Sequence, residues 1–114
     1  MDLSSNAQNG TLVVTVNESR IDAAVAIQFK DKMRERTEDA GDRVVLDLAQ
    51  VSFIDSSGLG AIVAAMKQLG KDRQLDLAGL NKDVDRVFRL TRMDTVFTIH
   101  SSLGDALLDP EGQC

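Results

Sequence analysis

The sequence VSFIDSSGLG at residues 51–60 constrains the fold more than any other stretch of the chain. An apolar run, Val44, Val45, Leu46 and Leu48, ends just before it. A helical stripe at Leu59, Ile62, Val63, Met66 and Leu69 begins just after it, spaced i, i+3, i+4, i+7. Between the two lie Asp55, Ser56, Ser57, Gly58 and Gly60, residue types that start helices and let backbone approach closely. A strand must end and a helix must begin here. The hydroxyls then sit at the positive end of a helix dipole, with Ser56 predicted as the helix cap.

The remaining segments extend the same alternation. Asn9-Gly10 is a strong hairpin-turn signal. It precedes the β-branched strand TLVVTV at 11–16, with a short edge strand expected around Leu3. Asp22 is predicted to cap a helix over 23–39, buried along Ile21, Val25, Phe29 and Met33 and stopped by Gly41. Its other side, with Lys30, Asp31, Lys32, Arg34, Glu35 and Arg36, reads as a solvated face. Residues 44–48 form the most apolar strand, as a central strand covered on both faces should. Gly70 closes the next helix, and 75–80 form a strand. Asn81 caps a helix carrying Val84, Val87, Phe88 and Met93, and TVFTI at 95–99 reads as a further strand. Ser102 and Asp105 form a capping-box-like pair for a last helix through Leu107 and Leu108. The expectation is an α/β fold with four helices and a four- to five-stranded, mostly parallel sheet with an antiparallel N-terminal edge. Residues 1–110 are expected to form a single domain, and 111–114, beyond Pro110, a disordered tail.

Charge and composition narrow the function. The net charge of −5 argues against nucleic acid, which demands a basic patch. No apolar run approaches the roughly 20 residues that span a bilayer. The first residues, MDLSS, lack the basic and apolar regions of a signal peptide, so a cytoplasmic protein without a membrane partner is expected. The single cysteine, Cys114, provides neither an internal disulfide nor a cysteine-cluster metal site. No metal and no cofactor are expected.

Enzyme motifs around the focal junction fail on their spacing. A nucleophile elbow needs Gly-x-Ser-x-Gly, but Ile54 stands two before Ser56 and Asp55 two before Ser57. His100 is the single imidazole, at the end of a predicted strand, where a packed or solvated role is the commoner one. Gly58-Leu59-Gly60 starts a dinucleotide pattern whose third glycine is replaced by Val63, and Lys67 follows no phosphate-loop glycine. A phosphorelay receiver would need paired acids after the first strand and a lysine after the last. Here Asn17-Glu18-Ser19 follows TLVVTV, and no lysine occurs after Lys82. These failures leave a hydroxyl that is a target and not a tool, on a chain that is not an enzyme.

Asp55-Ser56-Ser57-Gly58-Leu59-Gly60, preceded by Val51-Ser52-Phe53-Ile54, resembles the phosphorylation-site signature of STAS domains, specifically of bacterial anti-sigma factor antagonists. The likeness extends to Arg20-Ile21-Asp22, to Val44-Val45-Leu46-Asp47-Leu48 and to Leu75-Asp76-Leu77-Ala78-Gly79-Leu80. The resemblance implies a partner-switching regulator. Such a protein binds an anti-sigma factor serine kinase, with ATP held by that partner, and frees a sigma factor. Phosphorylation of the serine after the aspartate, here Ser56, inactivates it, and a serine phosphatase resets it. The partner surface would centre on Ser56 and include Asp22, Asp55, Ser57, Gly58, Leu59 and Gly60. A second reading is a STAS subunit of another assembly, a lipid-transport complex or a stress-signalling particle, acting as a protein-binding module.

Overall fold

In a computed structural model, which describes residues 1–38 and 40–108, a mixed sheet carries helices on both faces. Strands β1 (Leu3–Gln8) and β2 (Thr11–Val16) form an antiparallel hairpin, in register from Leu3↔Val16 to Gln8↔Thr11. Asn9 and Gly10 both take positive φ, 53° and 80°, the geometry that a two-residue hairpin turn requires. After β3 (Arg20–Ile21) and α1 (Ala26–Thr37), β4 (Arg43–Asp47) enters beside β2 in parallel. Then come β5 (Phe53–Ile54), α2 (Ser56–Leu69), β6 (Gln74–Ala78), α3 (Lys82–Leu90), a 3-10 turn at Met93–Thr95, β7 (Ile99–His100) and α4 (Leu103–Leu108). The main sheet runs β1-β2-β4-β6-β7, and β3 and β5 pair separately as a parallel two-residue ribbon.

The sheet faces are covered unequally. Val14, Val16, Val44, Leu46, Leu75 and Leu77 meet Phe29 and Met33 of α1, Ile62 and Ala65 of α2 and Val84 and Phe88 of α3 in one buried cluster. The opposite face has a small cluster of Val45, Ala78 and Ala106, roofed by α4. On this face lies a buried polar group. Arg43 Nη2 and Nε donate to Asp76 Oδ2 at 2.8 and 3.3 Å, and His100 Nε2 lies 2.9 Å from the same oxygen. Arg43 Nη1 donates to the Ala106 carbonyl at 2.9 Å, and Gln74 Nε2 to Asp76 Oδ1 at 2.7 Å. His100 is therefore packed at a strand end and faces Asp76, away from Ser56. Both oxygens of the buried carboxylate accept at least one hydrogen bond and an arginine balances its charge, the condition under which burying a charge is tolerable.

Four expectations need correction. The first helix begins at Ala26 with Val25 as its cap residue and no side-chain cap bond; Asp22 instead accepts from Ala24 N–H at 3.1 Å and shapes a turn ahead of the helix. That helix ends at Thr37, whose hydroxyl donates to the Met33 carbonyl at 2.6 Å, so Gly41 is not its stop. The strand read at 95–99 shrinks to Ile99–His100, because Thr95 completes the 3-10 turn and Val96 and Phe97 donate to the Met93 carbonyl. The third strand closes at Ala78, with Gly79 at φ 75° turning the chain. Gly70 (φ 84°) and Asn81, which accepts from Val84 N–H at 3.0 Å, perform as predicted. The expected tail at 111–114 and the domain limit at 110 lie outside the described residues.

Replacing Arg43 by Met should cost about 3 kcal/mol in urea unfolding, since it strips the buried Asp76 of its charged partner. Replacing both Arg43 by Met and Asp76 by Leu should recover much of that loss.

Candidate functional site

The site is built where the β3–β5 ribbon ends. Its register pairs Arg20 with Phe53 and Ile21 with Ile54, which sets the next residues, Asp22 and Asp55, side by side at the two carboxyl ends. The site thus belongs to this ribbon and not to the main sheet. Ser19 anchors the ribbon, its carbonyl accepting from Ser52 N–H at 2.8 Å and Phe53 N–H at 3.2 Å.

Asp55 joins the two loops. It is extended (φ −109°, ψ −175°) and is the cap of α2, accepting from Gly58 N–H through Oδ1 at 2.9 Å. Its Oδ2 accepts from Ala23 N–H at 3.3 Å. One carboxylate therefore satisfies an orphan donor of α2 and ties down the loop after β3. This corrects the expectation that Ser56 caps the helix. Ser56 is the first helical residue, exposed, with its side chain free of hydrogen bonds to described residues. Asp, Ser and Ser are all good caps, and the docking of Asp55 between two loops decides among them.

Gly58 fixes the depth at which α2 docks. A Cβ on it would stand 2.0 Å from the Ile21 carbonyl oxygen, inside any allowed contact. Its lack of side chain thus serves an approach within the protein, and Gly58 is buried. Gly60 differs: it is exposed, and a Cβ there would meet nothing within 4 Å. Leu59 is half-buried against the core, while Ser57 lies open beside Ser56. The structure therefore brings Asp22, Asp55, Ser56, Ser57, Leu59 and Gly60 to one end, with Gly58 beneath them.

Two neighbours were not singled out from the sequence. Arg20 donates to Asp22 Oδ2 at 3.2 Å, and its guanidinium lies 4.3 Å from the centroid of the Phe53 ring. Phe53 is 40% exposed, so this aromatic ring and the guanidinium over it are open to solvent at the end of the ribbon. Period-two alternation would have shown this, because a buried Ile54 sends Phe53 outward. No cluster of three or more His, Cys, Asp or Glu side chains suited to a metal occurs among the described residues. The site offers an exposed hydroxyl at a helix N-terminus, two fixed carboxylates and one cation.

The family model of the STAS domain matches residues 2–106. The chain belongs to the STAS-domain family. It is 33% identical over 86 residues to the anti-sigma-B factor antagonist of Listeria monocytogenes, covering 75% of each chain. An anti-sigma factor antagonist from Mycobacterium paratuberculosis, of known crystal structure, is 27% identical with a TM-score of 0.84, over 94% of this chain and 91% of that one. The Bacillus antagonist SpoIIAA shares the fold in both its unphosphorylated form (16% identity, 94% of each chain) and its phosphorylated form (17%, 93% and 96%), with a TM-score of 0.66 each. Among the described residues, no helix is long and apolar enough to cross a membrane.

Gly58→Val should unfold the protein or destabilise it by more than about 3 kcal/mol, since its methyls would enter the Ile21 carbonyl. Asp55→Ala should cost about 2 kcal/mol, the upper range for a lost cap. Ser56→Ala should change stability by no more than about 0.5 kcal/mol. Urea denaturation followed by circular dichroism separates the three.

Proposed function

We propose that this protein is an anti-sigma factor antagonist that binds an anti-sigma factor serine kinase and is switched off by phosphorylation at Ser56. The observation that carries the reading is the exposed Ser56 hydroxyl on the first turn of α2, held outward by the Asp55 cap beneath it. The naming of its relatives supports the antagonist role. The partner surface runs over Ser56, Ser57, Leu59 and Gly60 and reaches Asp22 and Asp55, with Gly58 holding the helix in place. The kinase supplies ATP, a serine phosphatase restores the hydroxyl, and the antagonist itself catalyses nothing. These partners place it in the cytoplasm.

Charge accounts for the switch. A phosphoserine adds about −1.5 to −2 charge near neutral pH. The free N–H groups and dipole of α2 accommodate it locally, so the fold is retained. The partner does not escape so lightly. The phosphate stands beside Asp22 and Asp55 in the contact surface, and an unpaired or like-charge contact costs several kcal/mol, or about a hundredfold to a thousandfold in affinity. The fold shared by SpoIIAA in its two forms supports a switch without refolding.

Incubation with the partner kinase and ATP should add one phosphate, and tandem mass spectrometry should place it on Ser56. Ser56→Ala should abolish the modification and leave kinase affinity within about twofold, because a hydroxyl gives little contact area. Ser56→Asp should keep the fold and weaken binding. Modification of Ser57, or undiminished affinity of the phosphorylated protein, would overturn the proposal.

A further inference from the structure

The outer edge of β1 has no part in the site above. Its backbone directions follow from the hairpin. Asn17 N–H donates to the Asp2 carbonyl at 3.0 Å, and the Gln8↔Thr11 pair closes the two-residue turn. Even-numbered residues of β1 therefore aim their N–H and C=O groups at β2, and odd-numbered ones aim them away. Among the described residues, no strand lies beyond β1 on this side of the sheet. Leu3 is buried, but Ser4, Ser5, Asn6 and Ala7 are all exposed. The N–H and C=O groups of Ser5 and Ala7 thus lie on an open edge.

Folded proteins guard such an edge with charge, proline, a bulge, a covering loop or sheer brevity. The opposite edge strand, β7, is guarded by being two residues long. β1 is not guarded in any of these ways. Its six residues, LSSNAQ, carry no charge and no proline, and its ladder to β2 runs one to one without a bulge. The flanking helix adds no barrier. Gln28 accepts from the Met1 amino group at 2.8 Å, so the stripe of α1 with Gln28, Lys32 and Glu35 lies nearest this edge. That stripe has one charge of each sign, so two copies of it meet without net repulsion although the chain carries −5.

We propose that the outer edge of β1 pairs with the same edge of a second copy of this chain, antiparallel about a two-fold axis, so that one sheet runs through the dimer. An antiparallel pair of identical strands is self-complementary under such an axis. The accessible backbone groups set the register. With Asn6 opposite the copy's Asn6, Ser5 stands opposite Ala7 on both sides of the axis, and each such pair exchanges both of its main-chain hydrogen bonds. The paired stretch runs from Ser4 to Gln8 and leaves Asp2 outside it, so no charged residue faces another across the joint. Pairing consumes both β1 edges and leaves only the short β7 edges outside, so association stops at the dimer. None of the residues of the serine site takes part, and the dimer stands or falls apart from the kinase reading.

The test is sedimentation velocity of the full chain from micromolar to millimolar concentration, with amide hydrogen exchange followed at both ends of that range. The expected result is a monomer–dimer equilibrium in which exchange at Ser5 and Ala7 slows as the dimer fills. Asn6 allows a charge-swap check, because it is exposed and stands opposite its own copy. Asn6→Lys and Asn6→Asp should each weaken the dimer about tenfold, since like charges then face each other across the axis. Mixed in equal amounts, the two variants should associate with each other and restore the dimer. A monomer throughout the range, a dimer indifferent to both Asn6 variants, or a mixture that associates no better than either variant alone would each overturn the proposal.

Discussion

The Asp55 carboxylate is the interaction on which the functional end depends. One oxygen takes the Gly58 N–H and starts α2; the other takes the Ala23 N–H and holds the loop after β3. The first bond is local to the start of α2, and the second spans two loops and depends on the depth at which α2 docks. Gly58 makes that depth possible by bringing the helix onto the Ile21 carbonyl, where any side chain would collide. Cap, glycine and ribbon therefore act together. Their product is a serine with no structural duty of its own, displayed on a rigid helix end.

The opposite face of the sheet is held by different means. Arg43, Asp76, Gln74 and His100 form a closed polar group under α4, and Arg43 reaches the Ala106 carbonyl to fasten that helix. On the face covered by α1, α2 and α3 lies an apolar cluster in which the largest side chains are fully buried. Such an interior is close-packed and yields little to a surface charge. The phosphate proposed at Ser56 would then act where it is placed, on whatever touches it. This is why the account puts the switch in the contact surface and not in the fold.

Much of this arrangement was legible in the sequence, because periodicity and turn chemistry agree over most of the chain. Asn9-Gly10 and Gly70 perform as residue types, and Asn81 caps its helix while its amide also donates to the Val51 carbonyl. The junction at 51–60 was also legible as a junction, and its resemblance to the STAS signature carried the family. What local pattern could not decide was which of Asp55, Ser56 and Ser57 caps the helix, since all three suit the position. The partner that decides it, Ala23, is 32 residues away. The same holds for Gly58, whose need for close approach comes from Ile21. Arg43 and Asp76 carry charge in strands where the pattern gave no sign of burial, and their pairing across 33 residues explains it. Thr95 and Val96 look like strand residues, but the left-handed Arg92 (φ 64°) starts a 3-10 turn that keeps them out of the sheet.

The central claim is that phosphorylation at Ser56 adds charge to a scaffold that does not move. Amide NMR spectra of the unmodified and the Ser56-phosphorylated protein test it most directly. The account predicts shifts confined to the first turn of α2, the Ala23–Ala24 loop and the neighbouring ribbon, with β4 and β6 unchanged. Shifts spread through β4, β6 and α3 would contradict it.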